Sequence, residues 1–526
     1  MRILPVTPQD VLVELDDLAS VIALNDSLVR DPLPQILETM PAARTLLLRL
    51  HSWVRIDQDF LVEIARRSEE AQTNRKGQAW QVQGPILELP MRYDGPDLAD
   101  VAAEMGLSIE DLVAAHQATT WRAAFCGFAP GFYYMIADDE RFNVSRRSVP
   151  RTAVPAGSVA LGGPYCGIYP QESPGGWHII GNTDLVLWDS QRSPASLIQP
   201  GQLLRFVKSE ASHPAPIRTP DKATTGLHIR SAVMPVLLQD EGRQKVAALG
   251  VSRSGALDRR ALHLANEMVG NQRELAALEI RLGPTRISTD LPVTLALTGA
   301  ASEVSIHSPI RGLVSVDVSL PFALDPGEEL TIALPRRGVC SYLARRGGFG
   351  SAPELGSQSR DTLAHLGPEP LNSGDVVELG DHLPIGAVAS SPVTQPALPA
   401  AGDVVELEVT LGPRTEWFDE ASVRTFLSTE WEVGAALSRV GMRLSGPVLT
   451  RAIKGELASE GVIAGSIQVV GAGLPLVFLA DHPVTGGYPV IATLTPAALE
   501  RISQVPPGAK LRFTAAAPFS HLLEQG

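Results

Sequence analysis

Two distant stretches of this chain carry the same motifs in the same order. The first copy contains Ala156-Gly157-Ser158-Val159, Gly175-Gly176-Trp177, and Pro200-Gly201 followed by Leu204-Arg205-Phe206. The second copy contains Ala464-Gly465-Ser466-Ile467, Gly486-Gly487-Tyr488, and Pro507-Gly508 followed by Leu511-Arg512-Phe513. A single glycine pair is common, but three motifs in register indicate an internal duplication. We therefore predict two related β-rich domains, with Gly176 equivalent to Gly487 and Arg205 equivalent to Arg512.

Each copy contains a loop with paired glycines and several polar side chains. Glycine permits close approach of a ligand or of another chain segment. The first loop is Glu172-Ser173-Pro174-Gly175-Gly176-Trp177-His178, and the second is Asp481-His482-Pro483-Val484-Thr485-Gly486-Gly487-Tyr488. We expect one site built from both loops, or paired sites across a pseudo-twofold interface. Two hairpin turns with polar rims are the alternative.

Composition narrows the class of protein. The chain has 526 residues and a net charge of -14, which argues against binding to nucleic acid because phosphate neutralisation requires a basic face. Three widely spaced cysteines, without a C-x-x-C pair, indicate reduced thiols and predict no metal site. We find no signal-like segment and no apolar run of transmembrane length. We expect a cytoplasmic protein that binds a small molecule; homo-oligomerisation stays open.

The order of patterns along the chain predicts several units. We assign 1–90 to a small α/β domain, 91–208 to a β-rich domain with the first copy, 209–226 to a linker, 227–403 to a further β-rich domain, and 404–526 to the second copy.

Local signals predict individual elements and one costly residue. Ser108, with Asp111 three positions later, predicts a helix start, and Arg259 to Val269 predicts a helix closed by Gly270. Glu279 lies between apolar neighbours on a predicted strand, which is unfavourable unless its carboxylate is paired. The aromatic segment 125–133 is consistent with a rigid loop beside a pocket or with a packed aromatic corner.

The motifs resemble those of a known protein family. One set resembles the B-type subunit of bacterial 5-oxoprolinase: Gly127-Phe128-Ala129-Pro130-Gly131-Phe132, Pro150-Arg151-Thr152, Val154 to Val159, and Ser173-Pro174-Gly175-Gly176-Trp177. A second set resembles the C-type subunit of the same enzyme: Ser254-Gly255-Ala256-Leu257-Asp258, Leu264-Ala265-Asn266, Val269-Gly270-Asn271, Gly465-Ser466-Ile467-Gln468, and Thr485 to Pro489. The same modules form the carboxyltransferase part of urea carboxylase, and older names are allophanate hydrolase subunits 1 and 2.

The resemblance implies a fold and an activity. The implied fold is α+β, mainly β, with a small α/β N-terminal domain followed by tandem cyclophilin-like β-barrels. The implied activity is opening of the 5-oxoproline lactam to glutamate with ATP, with Mg²⁺ expected, together with a separate A-type subunit of 5-oxoprolinase. The chain has no P-loop motif, so ATP would bind by other means. It departs from the family pattern at Asn182, at Pro483-Val484 and near Ser357, which leaves the substrate in question more than the fold.

Candidate site residues come from the two loops and from Glu279. Acid–base or orienting groups are His482, Asp481, His178, Glu172 and Glu279. Candidate substrate-binding residues are Ser173, Gly175, Gly176, Gln468, Thr485, Gly486, Gly487 and Tyr488. We expect the His482 imidazole to project into a cleft with its proton affinity raised by a nearby carboxylate.

Two other functions remain open. A carboxyltransferase would need carboxybiotin on a separate polypeptide, since the chain lacks a biotinyl Lys-Met motif. Proteins similar to the B-type subunit of 5-oxoprolinase also resemble a histidine-kinase inhibitor, which would make the chain a non-enzymatic regulator. Fusion of both modules in one chain favours an enzyme.

Overall fold

The computed structural model describes residues 1–75, 85–137, 139–210, 223–300 and 303–516. The predicted linker at 209–226 falls largely on residues 211–222, which lie outside the described residues. The predicted domain boundaries stay predictions, and the units below follow the pairing of the strands.

The N-terminal unit is a four-stranded antiparallel sheet with two helices. Its elements are β1 (Arg2–Thr7), β2 (Asp10–Glu14), α1 (Leu18–Arg30), β3 (Ile36–Pro41), β4 (Thr45–Leu50) and α2 (Gln58–Arg75). The strand order is β1-β2-β4-β3. Helix α1 begins where the Asp17 carboxylate accepts a hydrogen bond from Ser20 N at 2.7 Å. Both helices pack against the fully buried apolar face of β2 and β4.

The first barrel follows. Its elements are β5 (Leu87–Met91), α3 (Leu98–Glu104), α4 (Ile109–Ala118), β6 (Trp121–Cys126), β7 (Tyr133–Ala137), β8 (Arg151–Val154), β9 (Ser158–Gly162), β10 (Tyr165–Ile168), β11 (Ser173–Gly175), β12 (His178–Asn182) and β13 (Leu203–Lys208). Seven strands form a sheet in the order β12-β9-β10-β7-β6-β13-β5, and β8 pairs with β11. Arg92 and Asn182 exchange two backbone hydrogen bonds of 2.8 and 2.9 Å, which join the two outer strands.

The central unit packs two antiparallel sheets around one apolar core. Its elements are β14 (Leu227–Ala232), β15 (Leu237–Gln239), α5 (Arg259–Met268), β16 (Ala277–Arg281), β17 (Thr285–Thr289), β18 (Val293–Gly299), β19 (Val304–Ser308), β20 (Gly312–Ser315), β21 (Phe322–Leu324), β22 (Glu329–Ile332), β23 (Cys340–Arg345), β24 (Phe349–Gly350) and β25 (Val376–Leu379). Helix α5 begins at the Asp258 cap and ends before Gly270, whose φ of 74° suits glycine. The predicted helix is thereby confirmed.

The second barrel is closed. Its elements are β26 (Val404–Leu411), α6 (Glu420–Ser428), β27 (Trp431–Leu437), β28 (Gly441–Ser445), β29 (Glu460–Gly461), β30 (Ser466–Val469), β31 (Pro475–Phe478), β32 (Thr485–Gly486), β33 (Val490–Leu494), α7 (Pro496–Ile502) and β34 (Lys510–Ala515). The order of its strands is β26-β33-β30-β31-β28-β27-β34, and β29 pairs with β32.

The two barrels have the same topology, which confirms the predicted duplication. Both end with a strand that runs parallel to the first strand of its barrel. In these parallel pairs Arg205 lies opposite Glu88, and Arg512 lies opposite Glu406. A small two-stranded pair, β8–β11 or β29–β32, carries the paired-glycine loop in each barrel. The predicted α+β architecture with tandem barrels is therefore confirmed.

Within the described ranges, which leave out 76–84, 138, 211–222, 301–302 and 517–526, no helix is long and apolar enough to span a membrane.

Candidate functional site

The second paired-glycine loop docks against the first barrel. Thr485 Oγ1 of the second loop accepts a hydrogen bond of 3.1 Å from the backbone N–H of Phe128, in the first barrel. Phe128 has a φ of 69°, and a side chain at neighbouring Gly127 would collide with Thr485. The glycine and the left-handed backbone therefore allow the second loop to dock against the first barrel.

A segment of the central unit also joins the two loops. Gln171 Nε2, just before the first loop, donates a hydrogen bond of 3.1 Å to Leu363 O. The adjacent Thr362 donates from its backbone N and its Oγ1 to Asp481 Oδ2, at 2.8 and 2.7 Å. Residues 362 and 363 thus link Asp481 of the second loop to Gln171 beside the first loop, and the prediction of one site built from both loops stays a prediction.

The aromatic segment 125–133 forms a packed corner. Phe125, Phe128, Phe132 and Tyr134 contact further rings at Tyr165, Tyr169 and Trp177. Ala42 and Ala43 of the N-terminal unit pack against the same cluster. Burial raises the pKa of Tyr165 and of Tyr169 to about 12, so both phenols are neutral hydrogen-bond donors at neutral pH.

The first loop presents its polar groups toward solvent. Glu172 and Pro174 are exposed, whereas Ser173, Gly175 and Gly176 are half-buried. A side chain at Gly175 would collide with the Tyr169 hydroxyl, so this position requires glycine. His178 is half-buried, and its Nδ1 has no hydrogen-bond partner among the described residues. This loop therefore retains hydrogen-bonding groups that a ligand could use.

The second loop is more tightly held. Gln468 is buried and donates from Nε2 to Tyr488 O at 3.0 Å, which fixes the end of the loop. Gly486 lies so close to the Gln468 amide that a side chain there would collide with it. The Tyr488 ring is 46% exposed, and the Arg451 guanidinium lies 5.7 Å from its centre.

Glu279 and Asp481 lie together inside the protein, on either side of Arg439. Arg439 donates from Nη1 to both Glu279 oxygens, at 2.7 and 2.9 Å, and from Nε and Nη2 to Asp481, both at 2.9 Å. All three side chains are at most 1% exposed. The carboxylates also accept hydrogen bonds from Tyr342, Ser254 and Thr362.

This cluster indicates a structural role for the two carboxylates. Burial alone would raise the pKa of Asp481, but Arg439 and the hydroxyl and backbone donors hold it below its usual value. Ionised, buried and fully hydrogen-bonded groups are poorly placed for proton transfer to a substrate. Their predicted catalytic role is untested and stays a prediction.

His482 differs from the sequence-based expectation. The side chain is buried rather than projecting into a cleft, and its Nδ1 donates to Pro483 O at 2.8 Å. Burial lowers its pKa to about 4, with a further lowering by Arg49, and outweighs the raising effects of Pro483 O and Asp481. The expectation of a raised proton affinity is wrong, because loss of hydration outweighs one neighbouring carboxylate that Arg439 already neutralises. Its predicted role in catalysis is not tested by this geometry.

Glu460 is a candidate that the sequence analysis missed. It lies directly opposite Gly486 in the β29–β32 pair and is 1% exposed. Arg414 Nε donates to its Oε2 at 2.9 Å, whereas Oε1 has no hydrogen-bond partner among the described residues. Burial raises the pKa of Glu460 to about 7, and Arg414 opposes this only partly.

An equivalent pair with exchanged charges occurs in the first barrel. Arg151 lies opposite Gly175, as Glu460 lies opposite Gly486, and Arg151 binds the Asp97 carboxylate at 2.8 Å. Asp97 N donates to Ile179 O, and Arg414 N donates to Val490 O in the equivalent place. Placing Ser459-Glu460-Gly461 beneath Pro150-Arg151-Thr152 of the repeat would have revealed Glu460 from the sequence.

A large cavity lies elsewhere, between α5, residues 394–399 and α7. It has a volume of about 860 Å³ and combines an apolar wall with charged side chains. Arg260 and Arg501 line it with no ion-pair partner among the described residues, whereas Arg337 pairs with Asp403. Asp258 and Leu264, which belong to two of the sequence motifs, line this groove, but neither was among the site residues predicted from the sequence.

Comparison with known proteins identifies the family. The family model described as "Carboxyltransferase domain, subdomain C and D" matches residues 1–198, and the one described as "Carboxyltransferase domain, subdomain A and B" matches residues 249–515. The chain belongs to the carboxyltransferase-domain family. Its C/D half contains the N-terminal unit and the first barrel, and its A/B half contains the central unit and the second barrel.

Each half is similar to a separate curated protein. The A/B half is 34% identical over 287 residues to the C-type subunit of 5-oxoprolinase from Escherichia coli (strain K12), covering 55% of this chain and 90% of that protein. The C/D half is 37% identical over 178 residues to the B-type subunit of 5-oxoprolinase from Escherichia coli O157:H7, covering 33% of this chain and 79% of that protein. The resemblance stated from the sequence motifs is confirmed.

Two further comparisons concern larger assemblies and the whole fold. Urea amidolyase of Lachancea kluyveri is 30% identical over 299 residues, which cover 52% of this chain and only 16% of that protein. The crystal structure of TTHA0988 matches with a TM-score of 0.77 and 30% identity, over 96% of this chain and 99% of that one. The arrangement of both halves in one chain therefore occurs in a solved structure.

Proposed function

We propose that this chain supplies the B-type and C-type components, fused, of an ATP-dependent 5-oxoprolinase that acts with a separate A-type component. One observation carries the proposal: the two halves are similar, over most of their lengths, to two separate proteins that are both named as 5-oxoprolinase subunits. A protein that needs both components at one site benefits from fusion, because fusion fixes their ratio and their proximity.

The proposed chemistry takes place in two steps: the lactam oxygen is phosphorylated beside ATP in the large groove, because phosphoryl transfer requires contact between the two. Water then attacks the activated lactam at the interface between the barrels and phosphate leaves. Amide resonance makes a lactam unreactive, and phosphorylation of its oxygen supplies a better electrophile for water. The backbone of the loops at Gly175-Gly176 and Gly486-Gly487 would provide donors to the resulting anion. Glu172 is the candidate acid–base group exposed to solvent, and His178 is half-buried with a buried Nδ1, whereas Glu279, Asp481 and His482 are buried.

The large groove is the proposed place for ATP. Its volume of about 860 Å³ is ample for a nucleotide, and Arg260 and Arg501 would bind phosphate oxygens. Four carboxylates in the same lining, Asp258, Glu267, Asp403 and Glu500, would disfavour a bare polyanion, so bound Mg²⁺ is part of this proposal.

A second candidate is transfer of a carboxyl group from carboxybiotin on another polypeptide. The descriptions of the two family models and the 30% identity to urea amidolyase favour it. The matched region makes up only 16% of urea amidolyase. This match therefore supports the second candidate less strongly than the near-complete match to a separate oxoprolinase subunit supports the first.

Reconstitution separates the two functions. Purified chain is mixed with a protein similar to the A-type component of 5-oxoprolinase, 5-oxoproline, ATP and Mg²⁺, and glutamate is measured with each ingredient omitted in turn. We expect glutamate only in the complete mixture, and a raised KM for ATP in Arg501→Met. No glutamate in the complete mixture would contradict the proposal, and carboxylation of urea with a biotin carboxylase and carrier would favour the second candidate.

A further inference from the structure

A small cavity lies where three structural units meet, and we call it the junction cavity. It has a volume of about 20 Å³, which is enough for one water molecule or one ion of similar size. Its walls are Glu38, Met40 and Arg49 from the N-terminal unit, residues 243, 246, 247 and 251–253 from the central unit, and residues 462, 463, 482 and 484 from the second barrel. The cavity therefore depends on the assembly of all three units.

Arg243 is the unusual residue in this lining. Its side chain is 1% exposed, and only Nη2 has a hydrogen-bond partner, Ser359 O at 2.9 Å. Its Nε and Nη1 groups have no hydrogen-bond partner among the described residues, and no carboxylate in the described part of the chain forms an ion pair with it. A buried guanidinium without a counter-charge is costly, and unmade hydrogen bonds add to that cost.

Nearby carboxylates are already engaged by other donors. Asp361 accepts from Ser252 Oγ, Leu363 N and Ala364 N, and its pKa is raised to about 6 by burial and by Asp481. Asp240 is bound by the hydroxyls of Ser357 and Ser359. Together with Glu354 and Asp481, these acids attract Arg243 without a hydrogen bond to it, and burial outweighs them and lowers its pKa.

The other arginines in the lining are paired with carboxylates. Arg253 has its pKa lowered to about 10, by burial and then by repulsion from Arg259, with Arg49 adding to the lowering. The single carboxylate in the lining, Glu38, is held by Arg49 at 2.9 Å and by Ala247 N at 3.3 Å. Arg49 is paired with Glu38 and Asp10, and Arg253 with Glu241 at 2.8 Å. Among the arginines that line the cavity, Arg243 is therefore the one without an ion-pair contact to a carboxylate of the described residues.

We propose that the junction cavity binds one small monovalent anion of the size of chloride, held by the Nε and Nη1 groups of Arg243. The volume excludes carboxylate substrates, nucleotides and sulfate. The inference does not rest on the proposed function, and it assigns to the anion a role in holding the three units together. A lone water molecule is the competing occupant: it could accept from Arg243, but it would bring no counter-charge into contact with the Nε and Nη1 groups.

Bromide provides a direct probe, because it replaces chloride and is identified by anomalous scattering. Crystals of the full chain grown without halide are soaked in sodium bromide, and data are collected at the bromine edge. We expect an anomalous peak within hydrogen-bond distance of Arg243 Nε and Nη1. Absence of a peak at this position, in crystals that show bromide elsewhere, would overturn the proposal in favour of water.

Thermal unfolding tests whether the bound anion stabilises the folded protein. At constant ionic strength, replacing gluconate by chloride should raise Tm by about 2 °C or more with a saturable dependence on concentration. Arg243→Met should lose this increase, whereas Arg424→Met, which removes an arginine exposed on α6, should retain it. If Arg243→Met does not fold, the bromide peak and the saturable increase in Tm of the unaltered chain still decide between an anion and a water molecule. An increase in Tm that is linear in chloride, and equal for sulfate, would contradict specific binding.

Discussion

His482 makes the stability of the protein depend on pH in a predictable direction. Its pKa is about 4 when folded and about 6.5 when unfolded, so the unfolded chain binds more protons between these values. The contribution of His482 to the free energy of unfolding is complete above pH 6.5 and is lost as the pH falls toward 4. At pH 5 the loss is about 2 kcal/mol. His482→Asn retains a donor for Pro483 O but does not titrate. Urea unfolding at pH 7.5 and pH 5 should therefore show a smaller acid-induced loss for this variant.

The control is His307→Asn, which replaces an exposed histidine. Its acid-induced loss should equal that of the unaltered protein. An equal loss in His482→Asn would show that the imidazole is accessible to protons in the folded state.

Glu460 should make the stability of the protein depend on pH in the opposite direction to His482. Its folded pKa of about 7 lies above the ordinary value of 4.5, so its contribution is complete below pH 4.5 and is lost as the pH rises through 7. Glu460→Gln keeps an acceptor for Arg414 without the charge. Relative to the unaltered protein, the variant should gain about 2 kcal/mol between pH 5 and pH 8, measured by urea unfolding. Glu456→Gln, an exposed change on the same segment, should gain nothing.

Residue-scale prediction from sequence succeeds where the cause is local. Glu279 lies between apolar neighbours, and this alone indicates that it needs a partner. The partner, Arg439, is 160 positions away, and no local pattern identifies it. His482 illustrates the converse error: the adjacent Asp481 suggested a polar setting, whereas the imidazole is buried and lines a small cavity with Met40 and Arg49 of a distant unit.

Between elements, the Glu279–Arg439–Asp481 cluster fastens the central unit to the second barrel. Glu279 lies on β16, whereas Arg439 and Asp481 lie on connections between strands of the barrel. Arg439→Met leaves two buried carboxylates unpaired and should lower the free energy of unfolding by about 3–5 kcal/mol. Urea unfolding followed by tryptophan fluorescence measures this loss.

The matched control is Arg424→Met, which breaks an exposed pair and should change stability by less than about 0.5 kcal/mol. A triple variant, Arg439→Met with Glu279→Gln and Asp481→Asn, should recover part of the loss, because no buried charge remains. A loss no larger than the control's would show that the cluster contributes little to joining the units.

Elements with strong local signals were predictable, and those defined by pairing were not. The Ser108 cap and the helix from Arg259 lie where periodicity and capping place them. The repeat also predicted which loops correspond. Short strands such as β29 and β32 carry too few residues for a local pattern, so the position of Glu460 opposite Gly486 could be found from sequence only through the alignment of the two repeats.

For the whole molecule, contacts between the halves indicate that the covalent link is dispensable. Phe128 binds Thr485, and Gln171 binds Leu363 across the division. Arg414 reaches Glu14 of the N-terminal unit at 2.8 Å, and Ala43 N donates to Ser459 O at 3.0 Å. Met40 and Leu47 pack against Ile463 and Val484 in a shared apolar cluster. The relatives of the two halves are separate proteins, which fits an interface that is stable on its own.

We therefore predict that a chain cleaved between Glu210 and Ala223 remains one complex. A protease site is inserted between these residues, and the cleaved protein is passed over a size-exclusion column at micromolar and at ten-fold lower concentration. Both fragments should elute together, because apolar burial and the partly buried ion pair at Arg414 outweigh the loss of the tether. Arg414→Met combined with Thr485→Val should promote separation after cleavage but not before it. Fragments that separate at micromolar concentration without these substitutions would show that the interface depends on the tether, and that the two halves do not associate as independent proteins would.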